Sequence, residues 1–542
     1  MEQLWLPGTQ PAAYNNFRWN KKFSLRQPEL YPDEDKRLQI ASNESEIDAF
    51  LECFKLDLEP PGRFRALRAF LECAKRQNSF RASSAGENMV IVDDRCDPTP
   101  IVAISGHANI RYGRAWESLQ YLNNPPPGLH VNVQALKADD LSSHLKQDRT
   151  GKAERRLLFV LNITPTIALS VIKNVTCTHL SDVRSFLARH VDFNPYINVI
   201  QSHGFVLEFH LPHFILRTNQ VARDDSRGLR KCRYMRPPNL RHIPQACIIE
   251  AQISFGVFGS DEFFWEAYCF VDTYGSDQES IERYLQDKRD APSGGSVAQE
   301  APIWEPRYYF LTVFSVRLGQ VTMEWTVLAQ VLEKDLDPYG EIDGVSLPTF
   351  IEKDPGLERT KQRTWTLSIL RRLRNSLAKL IAAWHAFDTE QSSCFDLDTP
   401  GALADKFREK FSLMRGKMAE LRALHMTLEQ RIESLEKLSD ALVNASALSE
   451  SITATRQGNN IEILTYITII YLPVTLITGC YGMNQVSSDV AWWTYWVSIS
   501  CLTVFTVLLA FALPTGLAWW KSRPLSLGRS LPYYRSWRDL SK

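Results

Sequence analysis

Residues 461–484 read IEILTYITIIYLPVTLITGCYGMN, and this stretch decides the fold. Residues 461–480 hold a single charge, Glu462, near their start, and twenty residues at about 1.5 Å rise match a bilayer core roughly 30 Å thick. The short loop 481–490 leads to a second run, 491–520, which is uncharged and flanked by Trp492, Trp493, Trp519 and Trp520. Tryptophan is an amphipathic ring suited to membrane interfaces, so the two runs are expected to be transmembrane helices joined as a hairpin. Lys and Arg are absent from the loop. They occur as Arg456 before the hairpin and as Lys521, Arg523, Arg529, Arg535 and Arg538 in the basic tail 521–542. That asymmetry puts both termini on the cytoplasmic side of a two-pass protein, with the plasma membrane expected ahead of the mitochondrial inner membrane.

Within the first run, Thr465, Thr468, Leu472, Thr475 and Gly479 recur at steps of three and four and share one helix face. Lipid gains nothing from threonine and glycine. Such a face suits either a wet path or close helix packing, and the residues alone leave both open.

Working back from the hairpin, residues 356–460 read as a long helical stalk. A seam of Leu370, Leu373, Leu377, Leu380, Trp384 and Phe387 ends at a polar turn over 388–400. A second seam runs through Phe407, Phe411, Met414, Met418, Leu421, Leu428, Ile432, Leu435 and Leu442, a coiled-coil-like pattern that needs a partner. No proline falls between Pro400 and Pro473, so one rod of roughly seventy residues, on the order of 100 Å, is expected to enter the membrane.

Residues 1–355 read as a soluble α/β domain. Strands are expected at 89–93, 157–162, 205–210, 247–255 and 309–316, all rich in β-branched or aromatic residues. Helices are expected at 63–73 and at 183–190, the latter capped by Ser181, and the Pro/Gly/Ser-rich stretch 290–301 reads as a flexible loop. Asp335, Asp337, Gly340 and Asp343 resemble part of a calcium loop, but Pro338 and Tyr339 interrupt it, and a turn closing the domain is the expected role. His210 and His213 are expected to be structural rather than metal-ligating.

Sixty-two basic residues balance 62 acidic ones, which gives no electrostatic case for nucleic acid. The ten cysteines show no CxxC spacing, so neither a disulfide framework nor a zinc cluster is expected. No secretory signal is seen at the start, and no P-loop, GxSxG, HExxH or dinucleotide fingerprint supports an enzyme.

Tyr481-Gly482-Met483-Asn484, directly after the first run, together with Leu464-Thr465, Leu472-Pro473, Thr475 and Gly479 in order and spacing, resembles the signature of the CorA family of Mg²⁺ channels. The resemblance implies a funnel-shaped homopentamer, with cytoplasmic domains, stalk helices and a pore lined by the first span. It implies that Gly482, Met483 and Asn484 select the ion and that Asn484 meets the metal through its water shell. Mg²⁺ surrenders its hydration reluctantly, so a ring of neutral amide oxygens presented to the hydrated ion suits that task. Gly482, free to adopt positive φ, would bring its carbonyl to the same place. By the same resemblance Thr475 contacts the hydrated ion, Gly479 keeps the bore open, and Leu472 forms a dewetting constriction beside Pro473. Mg²⁺ is then both cargo and possible regulatory ion, with no cofactor expected.

Three residues depart from the family pattern. The loop has one carboxylate, Asp489, where relatives carry more; Gly458 stands where a pore-facing asparagine is common, although Asn459 and Asn460 are adjacent; and Glu462 replaces a basic residue. These departures keep two alternatives: a Zn²⁺ transporter of the same fold, and a non-conducting membrane scaffold or sensor.

Overall fold

The computed structural model describes residues 19, 46–52, 62, 64–77, 89–95, 131–147, 155–201, 204–217, 225–235, 246–260, 262–273, 280–340, 358–482 and 492–521. The chain divides into two compact units, Met1–Gly344 with Lys353–Leu438, and Val345–Glu352 with Ser439–Lys542.

The first unit is built on one mixed sheet. Its described strands are β1 (Met89–Arg95), β2 (Val131–Lys137), β3 (Arg155–Leu161), β4 (Tyr196–Gln201), β5 (Phe205–Arg217), β6 (Cys232–Tyr234), β7 (Cys247–Gly259) and β8 (Trp265–Val271). They lie in the order β2-β1-β3-β8-β7-β5-β4, with β6 also on β7. Only β3 and β8 pair in parallel. Successive side chains of a strand face opposite sides, and here both sides are covered. Leu158 and Val160 join a core with α1 (Glu46–Glu52), α2 (Arg65–Gln77), α3 (Ala138–Lys146), α4 (Pro165–Ile172) and α5 (Leu180–Val191). Leu157 and Phe159 face the other way, into a core built with α7 (Pro306–Gly340), α8 (Glu358–Ala386) and the first half of α9 (Ala402–Tyr481). A short α6 (Ile281–Gln286) lies between β8 and α7 in sequence.

The second core is knit by aromatic rings. Phe209 of β5 stacks on Phe314 of α7 at 4.8 Å, Phe314 meets Trp384 of α8 at 5.8 Å, and Trp384 meets Phe411 of α9 at 6.5 Å. Each fully buried ring contributes about 2–3 kcal/mol of apolar transfer, so this chain of contacts binds three helices to the sheet. Both sequence-read seams are buried, and their residues from Leu370 to Phe387 and from Phe407 to Leu435 belong to this core.

Three expectations are corrected. Tyr309–Val316 is not a strand but the start of helix α7. Its β-branched and aromatic composition suggested a strand, yet Tyr309, Phe310, Val313, Phe314 and Leu318 continue at helical spacing and are all fully buried between sheet and helices. Ser181 does not cap α5: the helix begins at Leu180 with His179 at the cap position. The 290–301 stretch is not a flexible loop. Ser293 Oγ donates to the Asp290 carbonyl at 2.9 Å, the Tyr309 hydroxyl donates to the Asp290 carboxylate at 3.0 Å, and Arg317 Nε donates to the Pro292 carbonyl at 2.8 Å. Gly294 and Gly295, at φ of 59° and 80°, serve its tight turns rather than looseness. In addition, α7 runs through Asp335 and Asp337 to Gly340, so that part of the calcium-like stretch is helix, neither ligand loop nor turn.

Between α5, β5 and β7 lies a buried polar cluster. Asp272 accepts from Arg227 at 2.8 Å and Arg230 at 2.6 Å; burial opposes its charge, but Arg230 and Arg227 overcome that and hold it well below the usual carboxylate range. Ser254 Oγ bonds both His190 and His210 at 2.8 Å. His210 and His213 are both fully buried, and His213 Nδ1 lies 3.1 Å from the Leu211 carbonyl. Burial depresses His213 from 6.5 to about 4, so the folded state keeps it neutral while the unfolded chain takes up a proton below pH 6.5. Its stabilising share is therefore present at pH 7 and lost as pH falls toward 4. Chemical denaturation of the full chain in detergent is expected to show a loss of about 2 kcal/mol from this residue between pH 7 and 5. His213→Asn should remove that part of the pH dependence whatever its effect at pH 7.

Candidate ion pathway

The site residues stand on the last turns of α9. Among the described residues, two helices are long and apolar enough to cross a membrane: α9, through its C-terminal part, and α10 (Trp492–Lys521), over Trp492–Ala510. Their apolar side chains are uncovered, with Ile461 at 64% exposure and Leu508 at 63%, unlike the buried seams of α8 and early α9. A surface of that kind in water would be strongly disfavoured; a bilayer is the solvent that fits it.

At about 100° per residue, Thr465, Thr468, Leu472, Thr475 and Gly479 gather on one side of α9, and all five are exposed. The side that meets α10 is different. Pro473 is buried, Ile477 and Tyr481 are half-buried, and Thr478 Oγ1 lies 3.0 Å from the Tyr495 hydroxyl. The Tyr481 ring sits edge-on to Tyr495 at 5.3 Å, and its hydroxyl reaches Thr494 Oγ1 at 3.4 Å. The threonine face is thus turned away from α10.

Each hydroxyl on that face is already engaged as a donor. Thr465 donates to the Ile461 carbonyl at 2.7 Å, Thr468 to Leu464 at 2.7 Å, and Thr475 to Tyr471 at 2.9 Å. Their protons are given to the helix, which leaves oxygen lone pairs pointing outward. A Cβ built on Gly479 meets nothing within 4 Å, so no neighbour in its own chain requires glycine there. Pro473 stands inside the helix and has no N–H, which deprives the residue 469 carbonyl of its usual partner one residue from Leu472's level.

Residues 402–513 match the family model described as CorA-like Mg²⁺ transporter protein. The C-terminal part of this chain is CorA-like. No curated protein matches the chain. Among solved structures, the full-length CmaX protein is similar at 13% identity, covering 80% of this chain and 100% of its own, with a TM-score of 0.35. The CorA magnesium transporter from Methanocaldococcus jannaschii is similar at 10% identity, covering 79% of this chain and 98% of its own, with a TM-score of 0.31. At these TM-scores neither likeness bears on the reading. The segment similar to that family model comprises all of α9 and most of α10.

The structure brings Thr465, Thr468, Leu472, Thr475 and Gly479 together on one helix face, with Gly482 one turn beyond Thr478. Met483 and Asn484 lie outside the described residues. Gly482 is not among the glycines at positive φ. Its reason is a close approach instead: its N–H donates to the Thr478 carbonyl at 2.9 Å, and an added Cβ would stand 3.2 Å from that same oxygen. Because α9 is unbroken from 458 to 465, no register shift carries Asn459 or Asn460 onto the face; Gly458 falls there. Glu462 also lies off it, accepting from the Tyr466 hydroxyl at 2.8 Å.

Thr478 and Tyr495 escaped the sequence reading. Thr478 sits off the five-residue face, and the role of Tyr495 depends on how the two helices pair. The signal available was a tyrosine four residues into the second run, facing back across a short loop. Replacing Gly482 with Ala is expected to loosen the final turn of α9 at a cost of order 1 kcal/mol, speeding amide exchange over 478–482 about five-fold in detergent. Gly479→Ala, with open space at its Cβ, should leave that exchange unchanged.

Proposed function

We propose that the protein conducts a divalent cation, Mg²⁺ first, through a homopentamer in which the first spans turn the face of Thr465, Thr468, Leu472, Thr475 and Gly479 inward. One observation carries the reading: this small, hydroxylated face is turned away from α10, and the chain's own packing gives no reason for it. Lipid would favour larger apolar side chains there. The outward lone pairs of threonines whose protons are spent on the helix suit the hydrogens of a hydrated cation, and Mg²⁺ travels most easily with its water kept. In this reading Gly482, Met483 and Asn484 form the selective mouth, Asn484 accepting from the ion's water shell. Leu472 is the apolar constriction, and the freed carbonyl beside Pro473 softens the helix at that level. Both termini lie on the cytoplasmic side, and cytosolic Mg²⁺ is a possible regulatory ion as well as cargo.

The test is flux into liposomes loaded with a Mg²⁺-sensitive dye, under an inward gradient, with Zn²⁺ run in parallel. Wild type is expected to admit Mg²⁺, and Asn484→Ala to cut that flux or its preference over Zn²⁺ at least about ten-fold, the effect of roughly 1.4 kcal/mol. Folded, oligomeric protein that passes neither ion, even with regulatory divalents removed, would sink the transport reading and leave a membrane scaffold.

A further inference from the structure

The last turn of α9 is held from the side by α10 through two side chains, Thr478 and Tyr481. Thr478 Oγ1 donates its only proton to the Val474 carbonyl at 2.7 Å, so at the 3.0 Å contact with Tyr495 it is the tyrosine hydroxyl that donates. The Thr478 carbonyl in turn accepts from Gly482 N at 2.9 Å. Two hydrogen bonds that share residue 478, one at its hydroxyl and one at its backbone carbonyl, therefore tie the second span to the first residue of the Gly482-Met483-Asn484 tripeptide. The Tyr495 ring reinforces it by lying edge-on to Tyr481, the residue before that tripeptide.

We propose that Tyr495 is a positioning residue for ion selection: its hydroxyl, acting through Thr478, fixes the direction in which the backbone leaves α9 at Gly482. This rests on the transport reading above. Tyr495 acts on the turn that carries Gly482, and not on the ion itself. Because a ring of neutral oxygens discriminates by where it places them, a looser exit at Gly482 widens the range of ions accepted before it reduces how many pass.

The experiment is the liposome assay on full-length wild type, Tyr495→Phe, Thr478→Val and the double variant. Each single change removes one hydroxyl and keeps the shape. Both are expected to lower the Mg²⁺-over-Na⁺ flux ratio at least about three-fold, the weight of one hydrogen bond between spans, while maximal Mg²⁺ flux and thermal midpoint stay near wild type. The double variant should be no worse than either single one, since both break the same bond. If wild type and Asn484→Ala behave as the transport reading expects but Tyr495→Phe keeps the wild-type ratio, this proposal alone is overturned. If the two single effects multiply, the Tyr495–Thr478 link is wrong. A wild type without flux overturns both readings together.

Discussion

The antiparallel pairing of β5 with β7, thirteen residues on each strand, is the constraint on which the α/β unit depends. It is the longest ladder among the described strands and lies within the sheet, with β4 beyond one partner and β8 and β6 beyond the other. A one-residue slip would exchange the faces of every side chain along it. Phe209 and Phe255 would then leave α7, and Val206 and Phe258 would leave the α5 side. Pro212 survives within so long a strand because it lies beyond Phe205–His210, the length that β4 covers, where one edge of β5 has no β4 ladder to lose.

Helix α9 answers to two solvents with one backbone. Up to Leu442 a seam of apolar residues at steps of three, four or their sum is buried; from Ile461 apolar residues run around the helix and most are exposed. An α-helix satisfies its own peptide groups in either setting, so the change of surroundings needs only a change of side-chain pattern. Charged residues mark the first regime, with Arg371–Glu436 and Arg431–Glu333 pairing between helices at its solvated rim. In the second regime Glu462 is the last charged residue before the helix ends.

Much of this was legible in the sequence where one physical rule dominates. The hairpin followed from length, the absence of charge and flanking tryptophans; the seams from Leu370 and from Phe407 followed from period; β1, β3, β5 and β7 followed from β-branched and aromatic runs. The failures lie where two rules compete. In Tyr309–Val316 composition pointed to a strand, but burial on several sides fills a helix with the same residues, and only the longer period through Trp325 and Leu332 distinguishes them. In 290–301 glycine and serine suggested looseness, whereas Asp290 and Ser293 use them to build a buried turn. At the candidate pathway, the five-residue face was readable from spacing alone. The reason for Gly482 and the bond from Tyr495 to Thr478 were not, because each depends on a distance between backbone segments rather than on periodicity.

The cluster around Asp272 carries a consequence for how this chain can change over time. Arg227, Arg230, His190, Ser254, His210 and Gln252 are linked to Asp272 through shared bonds, and all but Arg227 are buried. Losing one member strands a buried charge or donor, at a cost of about 3–5 kcal/mol for a broken ion pair, whereas replacing the set together with well-packed apolar residues is close to neutral. Every single-step route out of the arrangement therefore crosses a deep fitness valley, although a low plateau lies on the far side. Such a cluster persists by inheritance rather than by optimality, and in a lineage of this protein it is expected to appear whole or not at all.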